Sequence, residues 1–207
     1  MLDVVRYFLG VSIAIVVPLG ILYWFVIHFW VRFWRLLGSA VTYMVVIPAL
    51  AVLGWLLFRG RAWLLGTDLG TNWILIGIAV PLLGLMTLLE CQYWKQLRIA
   101  TLVGIQELSR NEAGKLLREG IYGLVRHPRY LSAGVAVLAE VLIVNYSGLY
   151  YLMLLALAPG YLMLVLEERE LLDRFGPAYR EYQRKVPRFL PRFYRTGLFG
   201  KGAGTRN

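Results

Sequence analysis

The sequence predicts an all-α, polytopic membrane protein with about five transmembrane helices and a cytoplasmic amphipathic helix near the C-terminus. Hydrophobic residues make up 59% of the 207 positions, whereas about 45–50% is usual for a soluble domain. The mean hydropathy is +0.62. Several segments stay apolar over roughly the 20 residues that a helix needs to cross a bilayer. The single cysteine, Cys91, excludes an internal disulfide.

Residues 1–94 are predicted to form an N-terminal unit of three spans, at 7–31, 36–58 and 72–89. The first span has His28 as its only ionisable group besides two tyrosines, and the other two contain no charged residue. The first apolar run exceeds the roughly 7–15 residues of a signal-peptide core, and no small-x-small cleavage site follows it. We therefore expect it to be a membrane helix.

The region 130–166 is mostly apolar but longer than one span. It contains Asn-Tyr-Ser-Gly at 145–148, a strong turn signal, so we predict two helices at 130–144 and 149–166. The first of these is shorter than the usual span. Together with the three spans before them, they bring the predicted total to five.

A different helical pattern follows the last span. In residues 167–191 apolar side chains recur every three or four positions, which is typical of an amphipathic helix. Gly176-Pro177 interrupts this stripe as the end of one helix and the start of another. The simplest interpretation is a helix lying on the cytoplasmic membrane surface. Residues 95–191 are predicted to be the functional core, and the basic residues 192–207 a partly disordered tail.

The distribution of charge predicts the topology. The net charge is +10, and the Lys and Arg residues gather in 95–129 and beyond Arg169, while the turn at 145–148 carries none. Because basic residues collect in cytoplasmic loops, we expect both basic segments inside and the turn outside. Five spans then place the N-terminus outside. Cations that flank membrane segments make a nucleic-acid partner unexpected.

Polar groups are concentrated in 119–134, directly before and within the start of a predicted span. Pro128 disfavours helical backbone at His127, so Arg126 and His127 are expected on a bend. His127 can donate or accept a proton near neutral pH, and Arg126 can bind a carboxylate or phosphate through two parallel hydrogen bonds. The alternative is that Arg126 and Arg129 only anchor the span at the lipid headgroups.

Two adjacent carboxylates, Glu167 and Glu168, lie at the predicted cytoplasmic end of the last span. Such a pair is costly there unless it is solvated or paired. It therefore either forms a site for a cation or hydroxyl groups, or is a solvated helix end paired with Arg126 and Arg169.

Glu140 is a third carboxylate of interest, because it lies inside a predicted span. It follows Tyr130 by ten residues, which corresponds to about 15 Å of helix. A carboxylate at such a depth is by default a hypothesis of function. It is a candidate catalytic base, a protonated group, or a partner of His28 in the first span.

These groups belong to a longer pattern. Its positions are Gly120-x-Tyr122-x-x-x-Arg126-His127-Pro128-x-Tyr130, then Glu167-Glu168-x-x-Leu171, then Phe175-Gly176-x-x-Tyr179-x-x-Tyr182, then Val186-Pro187 and Pro191. This pattern resembles the isoprenylcysteine carboxyl methyltransferase family of integral membrane enzymes, which is similar in turn to the phospholipid N-methyltransferases. The resemblance covers roughly 114–191, and the three spans before it carry no such signature.

The resemblance implies an S-adenosylmethionine-dependent methyltransferase whose cofactor enters from the cytoplasm and whose lipidic or prenylated substrate enters from the bilayer. Carboxylates and an imidazole suit the hydroxyl and ammonium groups of this cofactor, and aromatic faces attract its sulfonium. No His and Cys cluster suggests a metal. The cofactor-binding positions implied are Lys115, Leu116, Leu117, Tyr122, His127, Pro128, Arg129, Tyr130 and Glu167.

The candidate catalytic residues are Arg126, Glu168 and Glu140. An amine acceptor would need a base, for which Glu168 and Glu140 are candidates, whereas a carboxylate acceptor would need only desolvation and a cation such as Arg126 or Arg129. Animal isoprenylcysteine enzymes carry an Arg at the position of Met163, and the Gly-x-Gly element of the phospholipid enzymes is missing from 72–94. The acceptor is therefore left open, as is the oligomeric state.

Two other functions are compatible with the sequence. Sterol-reductase-type membrane enzymes, which use NADPH, resemble the same C-terminal region, including an Arg-His-Pro motif and a closing Val-Pro. A non-enzymatic lipid-binding protein could keep the fold without a defined cofactor. Retention on a nicotinamide-nucleotide resin would identify the first alternative, and the lack of any cofactor stoichiometry would identify the second.

Overall fold

The computed structural model describes residues 1–95 and 116–191, which are almost entirely helical and contain no β-strand. The helices of these two ranges are α1 (Leu2–Phe29), α2 (Val31–Leu37), α3 (Ser39–Arg59), α4 (Arg61–Leu65), α5 (Trp73–Trp94), α6 (Ile121–Leu124), α7 (Pro128–Val144), α8 (Ser147–Phe175) and α9 (Pro177–Lys185).

The predicted all-α polytopic membrane fold is confirmed. Helices α1, α3, α5 and α8 are each long and apolar enough to cross a membrane. The first three correspond to the spans predicted in residues 1–94. The predicted span at 149–166 lies inside α8, which continues to Phe175, so Glu167 and Glu168 belong to the same helix as the apolar segment.

The remaining predicted span, 130–144, is part of α7, which has 17 residues. At 1.5 Å per residue it measures about 25 Å, less than the roughly 30 Å of a hydrocarbon core, so it does not qualify by length. It nevertheless connects both ends of the helix bundle. The guanidinium of Arg129 in its first turn lies 4.1 Å from the ring centre of Trp24, late in α1, and its last carbonyl, at Val144, accepts from Arg6.

One end of the bundle, here called the turn end, holds the N-terminus, the connection between α4 and α5, and the turn at 145–148. The buried Arg6 donates from Nε and Nη2 to the carbonyl of Val144, at 3.1 and 2.8 Å, and forms an ion pair with Asp68. Asn145 ends α7 in the left-handed conformation, with φ of 55°, and donates to the carbonyl of Gly70 at 2.9 Å. The N-terminus and the turn therefore lie at the same end, as the five-span prediction requires.

The packed interior lies close to this end, where α1, α4, α7 and α8 meet. Its centre is a cluster of buried apolar side chains that includes Val11, Ala14, Leu65, Val141 and Leu149. The opposite end, here called the motif end, contains the residues of 116–131 and 167–191.

The C-terminal amphipathic pattern was interpreted as a helix lying on the membrane, and this is wrong for its apolar stripe. Gly176, with φ of 55°, separates α8 from α9. The stripe residues Tyr179, Tyr182 and Val186 are buried, and they pack against Leu116 and the last two turns of α8. The stripe is therefore covered by the protein itself, and α9 closes the motif end.

Candidate functional site

The candidate site begins at the bend before α7. His127 is the N-cap of this helix, with φ of −123° and ψ of 60°, and Pro128 occupies its first position, where a missing N–H costs nothing. The bend predicted from Pro128 is therefore confirmed. The backbone N–H groups of Arg126 and His127 donate to the carbonyls of Pro187 and Arg188, at 2.8 and 3.2 Å, so the segment after α9 is tied to the bend.

Glu168 is the centre of a buried charge cluster. Only 4% of the residue is exposed. Its Oε1 lies 2.9 Å from Arg126 Nη2 and 3.0 Å from His127 Nε2, and its Oε2 lies 2.8 Å from Arg188 Nη2. A buried carboxylate is tolerated only with such pairing. Two guanidinium groups around one carboxylate leave the cluster with a net positive charge.

Arg126 is held on two sides. Its Nη2 pairs with Glu168, and its Nη1 donates to the carbonyls of Gln183 and Val186, at 2.7 and 3.1 Å. These carbonyls belong to the C-terminal end of α9, which carries the negative pole of the helix dipole. Arg126 thus joins α8 to α9, and its position is fixed by the fold.

Arg188 is more accessible, with 34% of its side chain exposed. Hydrogen bonding to the Glu168 carboxylate raises the pKa of Arg188 above its ordinary value, so its charge is permanent. Its Nη1 also donates to the hydroxyl of Tyr161 at 2.7 Å. Sequence reasoning missed Arg188 as a site residue, although its place directly after Val186-Pro187 was a signal.

Glu167 has different surroundings from its neighbour. It is half-buried, and its Oε2 accepts a short hydrogen bond from the hydroxyl of Tyr130. No Lys, Arg or His of the described ranges forms an ion pair with it. The alternative interpretation, in which the carboxylate pair is neutralised by arginine, therefore holds for Glu168 and not for Glu167 in this part of the chain.

Arg129 contacts an aromatic ring, whereas Arg126 and Arg188 contact the carboxylate of Glu168. Its guanidinium stacks on Trp24 of the first span, an attractive cation–π arrangement. Burial raises the pKa of Tyr122 above its usual range, while the positive charge of Arg129 lowers it and the negative charge of Glu167 raises it further. Arg129 and Glu167 therefore both lie within electrostatic range of Tyr122. Sequence reasoning missed Trp24, because nothing in the first span indicates which residue α7 will meet.

The site also contains polar atoms without a partner. Among the residues at 1–95 and 116–191, the buried side-chain atoms without a hydrogen bond are Arg126 Nε, Ser132 Oγ and the hydroxyl of Tyr179. All three belong to residues of the candidate core or directly beside its motifs. Buried polar groups are normally paired, so these atoms are available to water or to a polar ligand.

The structure brings most predicted site residues to the motif end. Besides the groups above, Leu116 packs against the buried tyrosines of α9, and Leu117 beside it is half-buried. Lys115 lies outside the described residues. Within the described ranges no three His, Cys, Asp or Glu side chains come together as metal ligands.

Glu140 is the predicted residue that is not at the motif end. A Cβ on Gly10 of α1 would lie 2.9 Å from the side chain of Val144. Gly10 of α1 and Val144 of α7 therefore lie at the same height in the helix bundle. Glu140, one turn before Val144, is therefore near the turn end, about 15 Å from Tyr130 along the helix. The side chain of His28 lies outside the described part of the structure, so the pairing of Glu140 with His28 stays a prediction.

No family model matches this sequence, and no solved structure matches it.

Proposed function

We propose that the motif end binds S-adenosylmethionine and that the protein transfers its methyl group to an acceptor carried by a lipid. The observation that supports this most directly is that the two adjacent carboxylates, Glu167 and Glu168, have different charged and hydrogen-bonding partners. Glu168 is the centre of a cluster with net positive charge, whereas the hydrogen-bond partner of the adjacent Glu167 within residues 1–95 and 116–191 is the hydroxyl of Tyr130 alone. Opposite charges thus lie side by side at one end of a membrane helix.

A zwitterionic cofactor fits such a site. The amino-acid part of S-adenosylmethionine carries an ammonium and a carboxylate, which suit Glu167 and the exposed part of Arg188 respectively. The aromatic rings of Tyr122 and Tyr130 suit a sulfonium or an adenine face. Once bound, the cofactor supplies a methyl group activated by its positive sulfur.

The residues nearest the site favour proximity and orientation over proton transfer. Both oxygens of Glu168 are engaged by cations, which makes it a poor base. Glu140 lies too far along α7 to reach an acceptor at Tyr130. We therefore propose that Arg126 and Glu168 position the site, and that neither they nor Glu140 removes a proton from the acceptor. Holding two reactants in line accounts for a large part of such a reaction's acceleration.

This distribution of groups favours an acceptor that is already a nucleophilic anion, such as a lipid carboxylate, over a protonated amine. Arg129 is the cation best placed to hold it, since it forms no ion pair with a carboxylate of the described ranges and lies, like Glu167, within electrostatic range of Tyr122. An amine acceptor would require a base that the described part of the site does not offer.

The test is transfer of label from tritium-methyl S-adenosylmethionine into a lipid extract by the purified protein. We expect label in an organic-soluble product, and a loss of at least about a hundredfold with Glu167→Gln. The control is Glu181→Gln, which changes an exposed carboxylate paired with Lys185 and should leave the rate unchanged. A folded wild-type protein that labels no lipid fraction would refute the proposal.

A further inference from the structure

Two arginines mark the corner where α3 ends and α4 begins. Arg59 is the last residue of α3, and Arg61 is the first residue of α4. Arg61 is fixed at the turn end, because its Nε donates to the hydroxyl of Tyr7, early in α1, at 2.9 Å. Its Nη1 donates to the carbonyl of Phe58 at 3.0 Å, so this side chain joins α4 to both α1 and α3. Residues 55–63 are here called the α3–α4 corner.

Each of the two guanidinium groups lies over an aromatic ring of α3. The Cζ atom of Arg59 is 5.6 Å from the ring centre of Trp55, and that of Arg61 is 4.4 Å from the ring centre of Phe58. Trp55 and Phe58 are three positions apart on one helix, so their side chains are neighbours. The fold therefore holds two positive charges at neighbouring places on the last turns of α3.

No carboxylate of the described ranges neutralises this pair of charges. The ion pairs within these ranges include neither Arg59 nor Arg61. Asp3 and Asp68, two carboxylates of the turn end, both contact Arg6 instead. Neighbouring like charges repel each other, and an aromatic ring holds a cation without cancelling its charge. An anion bound between the two guanidinium groups would remove this repulsion.

Exposed tryptophans around the corner indicate its depth in the membrane. Trp55, Trp63 in α4 and Trp73 at the start of α5 are all exposed, the second of them to 83%. Tryptophan is enriched at the interfaces between membrane and water, at the level of the lipid headgroups. The anion that a guanidinium meets at this depth is the phosphate of a phospholipid.

The side of α3 below the corner is apolar and open. Val52 and Leu56 precede Arg59 by seven and three positions, so they lie on the same side of the helix, and both are exposed. Within α3, no residue after Val46 is buried. A phospholipid whose phosphate meets Arg59 can therefore lay an acyl chain along the same side of α3.

We propose that the α3–α4 corner binds the phosphate of an anionic phospholipid from the leaflet at the turn end, with Arg59 and Arg61 as its ligands. A guanidinium matches phosphate oxygens through two parallel hydrogen bonds, and two such groups favour a headgroup with net negative charge over a zwitterionic one. Because Arg61 also contacts α1, the bound phosphate ties the exposed half of α3 to the bundle. This site lies at the end opposite the motif end, and its occupancy does not depend on the proposed reaction.

The experiment uses the full chain in phosphatidylcholine nanodiscs that contain a trace of phosphatidylglycerol with a photoactivatable diazirine near its glycerol. We expect crosslinks in residues 52–63. Added unlabelled phosphatidylglycerol should suppress them, whereas an equal amount of phosphatidylethanolamine, which is zwitterionic, should not. Inorganic phosphate in the buffer should not suppress them either, because the ligand is a lipid headgroup.

Arg59→Gln should reduce crosslinking in 52–63 at least about tenfold, since it removes charge-assisted hydrogen bonds to the phosphate. Arg59→Lys keeps the charge and should retain most of the crosslinking. Arg61→Gln should act in the same direction, but it also removes the hydrogen bonds to Tyr7 and Phe58, so Arg59→Gln is the decisive variant. The matched control is Arg180→Gln, which removes an exposed positive charge from α9 and should leave crosslinking in 52–63 unchanged.

A second measurement tests the tie between α3 and the bundle. Phosphatidylglycerol added to the detergent-purified protein should raise the thermal midpoint of the wild type and of Arg180→Gln, but not that of Arg59→Gln. Crosslinks in 52–63 that persist in Arg59→Gln, or that phosphatidylethanolamine displaces equally well, would overturn the inference. Displacement by inorganic phosphate would also overturn it, because the corner would then be a site for a free anion.

Discussion

His127 Nε2 lies 3.0 Å from Oε1 of Glu168, and both side chains are buried. This contact joins the start of α7 to α8 across 41 positions of sequence. It places the imidazole in the interior of the charge cluster, where it orients the carboxylate. Both the stability of the fold and the geometry of the site therefore depend on His127 and Glu168.

Glu168→Gln should destabilise the protein strongly. It removes the counter-charge of Arg126 and Arg188 and leaves the former buried and unneutralised, a change that typically costs about 3 kcal/mol or more. Unfolding followed by tryptophan fluorescence in detergent would measure it. Glu181→Gln, at an exposed ion pair, is the control and should leave the unfolding midpoint unchanged. Equal midpoints for both variants would show that the cluster does not stabilise the fold.

Glu167→Ala and His127→Ala should both abolish binding of S-adenosylhomocysteine, but only the second should lower stability. The carboxylate of Glu167 accepts from Tyr130 at the edge of the site, whereas His127 lies within the buried cluster. Calorimetric affinity and the unfolding midpoint, measured on the same preparations, would separate the two effects. Wild-type affinity in both variants would contradict the assignment of the site.

Glu140→Gln should change turnover less than Glu167→Gln does. Glu140 is about 15 Å of helix from Tyr130, and no hydrogen bond or ion pair in the described ranges connects it to the motif end. Initial rates of methyl transfer by the two variants would show the order. The reverse order would place the chemistry deeper in the membrane than the motif end.

Gly148→Ala should prevent the turn end from packing. A Cβ at this position would lie 2.0 Å from the carbonyl oxygen of Leu64 and 2.7 Å from the carbonyl carbon of Leu65, and neither backbone atom can move without breaking α4. Gly160→Ala, in the same helix and with nothing within 4 Å, is the matched control. It should be neutral or stabilising by up to about 1 kcal/mol. Folded yield and thermal midpoint would distinguish them, and similar values would contradict the close approach of α4 to α8.

The local features of this fold could be predicted from the sequence. The turn at 145–148, the bend at His127 and the break at Gly176 each follow from the conformational preferences of one or two residues. The spans follow from apolar length alone. The prediction that the apolar stripe of α9 lies on the membrane was wrong. A repeat of apolar residues shows that one face of a helix is buried, but it does not show whether lipid or protein covers that face.

The site could be predicted only in part for the same reason. The motifs identified the residues of 119–134 and the pair Glu167-Glu168. The partners that give these residues different properties lie elsewhere in the chain. Arg188 and Trp24 reach the site through the packing of α9 and α1, and no local sequence pattern specifies those contacts.

The most direct test of the account is calorimetric titration of the purified, folded protein with S-adenosylhomocysteine, with NADPH titrated in parallel. We predict saturable binding of S-adenosylhomocysteine near one equivalent, its loss in Glu167→Ala, and no binding of NADPH. Saturable binding of NADPH alone would contradict the account and assign the protein to the membrane reductases. Binding of neither ligand would contradict it equally and favour a lipid-binding protein without a cofactor.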